Sequence, residues 1–166
     1  MVGVRVHRRP ARETVGLALA PGVVVLLCLS VTATGVAAGI VGLAVVGIGT
    51  DRGRRNVVTA GCGLLFAGVL LAGIDGAPPT LALFAAAGTV VTWTTAHHAV
   101  GLGTQLGREA PVRRSVAMHL AGATIATLCA GGLALGVFAA ASGALPPSVL
   151  VVLLVGIGAV VYALSP

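Results

Sequence analysis

A chain of 166 residues has the length of one soluble domain, yet 57% of it is hydrophobic and 8% is charged, against roughly a quarter charged in soluble domains. Together with a mean hydropathy of +1.08, this excludes an ordinary water-soluble globule and places the chain in a lipid bilayer. A net charge of +6 would point to nucleic acid in a soluble protein. Here the ten arginines, with no lysine beside them, divide among three short segments and form no basic face that could follow phosphates, so nucleic acid is excluded as a partner.

The first segment, residues 1–13, holds Arg5, Arg8, Arg9 and Arg12 and reads as a basic cytoplasmic N-terminus. Residues 14–50 carry no charge. As one helix at ~1.5 Å per residue they would reach about 55 Å, against a hydrocarbon core of about 30 Å, so two helices are expected, broken at Thr32-Ala33-Thr34-Gly35. A cleaved leader is the competing reading of this start. Cleavage among the small residues near Ala33–Ala38 would leave too few apolar residues before Asp51 to span, so the first helix is expected to stay.

Charges or prolines bracket the remaining apolar runs. Spans are expected at about 15–31, 35–50, 57–74, 80–98, 116–141 and 148–164, an all-α polytopic bundle forming a single membrane domain over 14–166. Arginine placement tests that count. Arg52, Arg54 and Arg55 lie between the second and third spans, and Arg108, Arg113 and Arg114 between the fourth and fifth. With six spans all ten fall on one side, which the positive-inside rule makes cytoplasmic along with both termini. Merging the first two spans would scatter them. Trp93 and Tyr162 fall near inner span ends, where interfacial aromatics belong.

Small residues recur at helical spacing. Gly35, Gly39, Gly42 and Gly49 share a face of the second span, and Gly132, Gly136 and Ala140 repeat the device on the fifth; such faces allow close helix packing within the chain or in a dimer. Cys28, Cys62 and Cys129 fall on different spans, form no C-x-x-C pair and read as buried free thiols.

The residues able to carry chemistry are few. GLGTQLG at 101–107 has neither the glycine spacing of a dinucleotide fingerprint nor the lysine of a phosphate loop, and reads as a flexible connector or surface helix. His97 and His98 close the fourth span and His119 opens the fifth, so the three share one membrane depth and form a candidate interfacial cluster. Adjacent helical residues point about 100° apart, so His97 and His98 do not converge on one metal, and no Asp, Glu or Cys stands at ligand spacing. Glu13, Asp51, Asp75 and Glu109 all lie at span ends or in loops, so no intramembrane acid is available for ion coupling. No cofactor, metal or enzymatic activity is expected.

The longest extramembrane feature is the polar stretch 99–115, in which Gln105, Arg108, Glu109, Arg113 and Arg114 are the candidate partner contacts. Residues 93–122, WTTAHHAVGLGTQLGREAPVRRSVAMHLAG, resemble a family of small haloarchaeal integral membrane proteins of unknown function. Trp93, Gly103, Gln105, Leu106, Gly107, Arg108, Glu109, Ala110, Arg113, Arg114 and His119 carry the resemblance, and Thr94 stands where that family has an acid. The resemblance implies a membrane component of an assembly or maturation system, since such genes often neighbour a MoxR-type ATPase and a von Willebrand-like partner. The expected function is thus a non-enzymatic scaffold or accessory subunit that lies in the lipid bilayer and recruits a cytoplasmic or membrane protein partner through 99–115. A small transporter or channel subunit is the alternative.

Overall fold

The computed structural model describes residues 12–106 and 112–141. They form five helices: α1 (Arg12–Leu29), α2 (Ala33–Asp51), α3 (Arg55–Ile74), α4 (Pro79–Leu106) and α5 (Arg113–Ala141). The chain divides into two compact units, Met1–Gly131 and Gly132–Pro166. The first holds α1 to α4 and the larger part of α5. The expected sixth span at 148–164, with Tyr162, lies outside the described residues.

The uncharged stretch 14–50 is two helices. The break falls at Ser30–Thr32, slightly before the expected Thr32–Gly35, because the Ser30 hydroxyl donates to the Leu27 carbonyl at 2.7 Å and closes the last turn of α1. The next two turns have glycine at their pivot. Gly53 (φ 67°) and Gly76 (φ 87°) are the described residues with positive φ. At each the chain makes a Schellman closure: Arg54 N–H donates to Gly49 O at 2.8 Å and Ala77 N–H to Ala72 O at 2.9 Å, using the conformation that glycine adopts without a Cβ penalty.

The first four helices pack consecutively and close into a ring, α1 against α2, α2 against α3, α3 against α4 and α4 back against α1, with little contact across the diagonals. The α2–α3 contact is backbone against backbone. A Cβ at Gly42 would stand 2.6 Å from Leu65 N and 2.9 Å from Gly61 O, and one at Gly61 would stand 2.6 Å from Val46 N. Gly35 and Gly49 face α3 in the same way, whereas Gly39 meets the Leu26 and Leu29 side chains of α1. The glycine face is therefore shared between two neighbours. For Gly132 and Gly136, nothing described lies within 4 Å of an added Cβ.

The interior is built from small groups. Apart from Leu29 and Leu65, the fully buried side chains of the core are valine, alanine and threonine, while Leu27, Ile40, Phe66, Leu70, Ile74 and Phe84 point outward. A helix set with its bulkiest apolar side chains outside and glycine within is compatible with lipid, where close backbone approach rather than apolar burial drives association. By length and composition α2, α3 and Arg113–Leu133 of α5 can each cross a membrane, and α1 contributes a shorter apolar helix, Thr14–Leu29.

One expectation is corrected. The stretch 99–115 is not a loop from its start: α4 continues unbroken to Leu106. No proline interrupts Ala99–Leu106, and the carbonyl of Gly101 accepts the Thr104 hydroxyl at 2.8 Å, so the glycines are carried within the helix. At ~1.5 Å per residue its 28 residues run about 42 Å, well past a bilayer core of about 30 Å.

Candidate functional site

The histidines and described arginines gather at one end of the ring. The turn between α2 and α3 carries Arg52, Arg54 and Arg55, and the Arg55 guanidinium reaches α4, where it lies 3.1 Å from the position a Cβ would take at Gly101. Arg113 and Arg114 open α5, exposed. At the opposite end stands Asp75, which accepts a hydrogen bond from the Thr34 hydroxyl.

His97 and His98 diverge, as neighbours on a helix must. His97 turns to α3: its Nε2 lies 3.1 Å from Thr59 Oγ1, and its ring meets Trp93 edge to face at 5.3 Å and 71°. Thr59 Oγ1 also lies 3.2 Å from the Arg55 carbonyl, so this hydroxyl joins His97 of α4 to the first turn of α3.

His98 turns to α5. Its ring stacks on His119 with centroids 4.2 Å apart and planes 11° from parallel, and its Nε2 lies 3.5 Å from Ser115 Oγ. His119 Nε2 is buried without a hydrogen-bond partner among the described residues. Of the expected trio the structure thus brings His98 and His119 together and assigns His97 to a separate contact one helix away.

Gln105 lies exposed in the last turn of α4, while Arg108 and Glu109 lie outside the described residues. Among the described residues no three of His, Cys, Asp and Glu gather to hold a metal. Ser115 and His98 are at the outer limit of hydrogen-bond distance, and the face of His98 is taken by another imidazole. The arrangement suits hydrogen bonding and charge recognition.

Below this end lies a cavity of about 380 Å³ between α1, α4 and α5. Pro21, Val24 and Cys28 line it from α1, Phe84, Ala87, Gly88 and Val91 from α4, and Leu120, Thr124 and Leu128 from α5. Pro21 sits within α1, where it can donate no hydrogen bond to the Leu17 carbonyl. The next residue, Gly22, lets Leu43 and Thr92 close in.

A family model matches residues 8–161, nearly the whole chain. The chain belongs to the Family of unknown function (DUF7519). The match of this DUF7519 chain extends far beyond residues 93–122. No curated protein matches the chain. No solved structure matches it.

Two features are not apparent from the sequence alone. Gly61 and Gly68 supply the α3 side of the glycine contact, and their seven-residue spacing is the only clue to it. Thr59, the partner of His97, is a polar residue one turn into an apolar run after Arg55, a pattern shared by many threonines that bond only to their own helix.

Proposed function

We propose that this DUF7519 protein is a non-enzymatic, multi-pass scaffold or accessory subunit of the cell membrane, with about six spans, its arginines and both termini cytoplasmic, that recruits a cytoplasmic partner through 99–115. The observation that carries the membrane part is the inverted packing, with glycine against backbone inside and leucine, isoleucine and phenylalanine outside. The recruiting role is supported by α4, which runs past the length a bilayer requires and carries Gln105 exposed in its last turn. The convergence of Arg55, His98 and the start of α5 at the same end supports it further.

Three of the buried threonines speak against transport. Thr50, Thr89 and Thr92 return their hydroxyls to carbonyls of their own helices at 2.7–2.8 Å, which leaves them poor ligands for a passing solute; Thr95, whose hydroxyl is buried with no partner among the described residues, is the exception. The haloarchaeal resemblance adds the class of partner, a soluble component of an assembly or maturation system.

Cross-linking in native membranes tests the proposal, with the Arg108→Ala/Glu109→Ala double variant as the comparison. The wild-type chain is expected to capture one or more cytoplasmic proteins that the double variant loses. Identical capture profiles would sink the recruiting role, and solute flux into liposomes carrying the purified protein would favour a transporter or channel.

A further inference from the structure

The cavity and the histidine stack belong to one seam. On α4, Phe84, Ala87, Val91 and His98 are spaced by three, four and seven residues and so share a helical face; the first three line the apolar cavity, and the fourth stacks on His119. On α5, Leu120, the residue after His119, lines the same cavity. From Phe84 to His98 the stripe rises about 21 Å at ~1.5 Å per residue, more than one leaflet's share of a hydrocarbon core of about 30 Å.

The cavity's share of that stripe, Phe84 to Val91, rises about 11 Å and lies beneath imidazole, hydroxyl and guanidinium, and this order of apolar then polar is the profile of one kind of molecule. We infer that the seam between α1, α4 and α5 binds an anionic phospholipid, with an acyl chain in the cavity and the phosphate beside His98, Ser115, Arg113 and Arg114. Charge complementarity selects the anion: Arg113 and Arg114 stand exposed in the first turn of α5, the turn that carries Ser115. The first N–H groups of α5 add partial positive charge there. Among the described helices the carboxylates at this end are Asp51, exposed at the end of α2, and Glu13, in the first turn of α1; α2 contributes no lining to the cavity, and the arginines outnumber both acids. The inference rests on the membrane reading above.

The test uses the full chain reconstituted in nanodiscs of equal phosphatidylglycerol and phosphatidylcholine, released into detergent, with retained lipid counted by native mass spectrometry. Wild type is expected to retain phosphatidylglycerol preferentially. Arg113→Ala/Arg114→Ala is expected to lower that preference by roughly fivefold per arginine while lipid is still retained. Ala87→Phe and Thr124→Phe, which fill the cavity from opposite walls, are each expected to lose retained lipid of both kinds at unchanged helix content. Equal retention of the two lipids by wild type, or retention unaffected by both cavity variants, would overturn the inference. Failure of the membrane reading would look different, as release of wild type from membranes by alkaline carbonate.

Discussion

Alanine at Gly42 or Gly61 is expected to destabilise the helix ring by about 2–3 kcal/mol each, the usual cost of forcing atoms into a close-packed site. The added methyl meets backbone on both sides, Leu65 N and Gly61 O in one case, Val46 N and Gly42 O in the other. Backbone cannot rotate away, so α2 and α3 must separate along their contact. Leucine at Gly42 is expected to prevent their association altogether. The comparison is Gly63→Ala or Gly73→Ala, where nothing described lies within 4 Å of the new atom and both sites are exposed. There alanine's better helix propensity leaves stability unchanged or raised by up to about 1 kcal/mol. Thermal and SDS-induced unfolding of the detergent-solubilised protein reads both arms, and equal losses at Gly61 and Gly63 would refute the backbone-contact account.

Leu64→Arg is expected to block stable membrane insertion. Leu64 is 41% exposed, at the middle of α3, and in a water-soluble protein an arginine at such a site would cost almost nothing. On the lipid face of a spanning helix it costs about 2.5–3.5 kcal/mol near the centre. Val41→Arg, at a position 54% exposed at the middle of α2, is expected to behave alike. The readout is the amount of full-length protein in the membrane fraction relative to wild type, with Arg54→Leu, a change at the basic turn, as a control that leaves insertion depth unchanged. Normal recovery of both arginine variants would contradict the placement of these faces in lipid.

Much of this architecture was legible in the sequence because its apolar runs are sharply bounded. The helix count over residues 12–141 followed from charge and proline brackets and, within the uncharged stretch 14–50, from length. The end of α4 was not legible. Gly101 and Gly103 among polar residues resemble a connector, and only their neighbours show that the helix carries them past Arg55. The histidines were half legible. Depth along the chain brought His97, His98 and His119 to one level, and the 100° turn between adjacent residues separated His97 from the pair. Which helix each would face depended on α4 having α3 on one side, where Thr59 meets His97, and α5 on another, where His119 meets His98, a property of packing between helices that one helix's periodicity does not contain. The glycine face of α2 was visible, but its division between α1 and α3 was not, because spacing shows a face and not what covers it.

The central claim is that the helices span a membrane with their basic end inside. Single cysteines in a chain lacking Cys28, Cys62 and Cys129 test it most directly, placed at Arg52, Pro78 and Arg114 and probed in intact cells with a membrane-impermeant maleimide. Labelling is expected at Pro78→Cys alone, with Arg52→Cys and Arg114→Cys reacting only after the cells are opened. Labelling of Arg52→Cys in intact cells, or equal protection of all three positions, would contradict it.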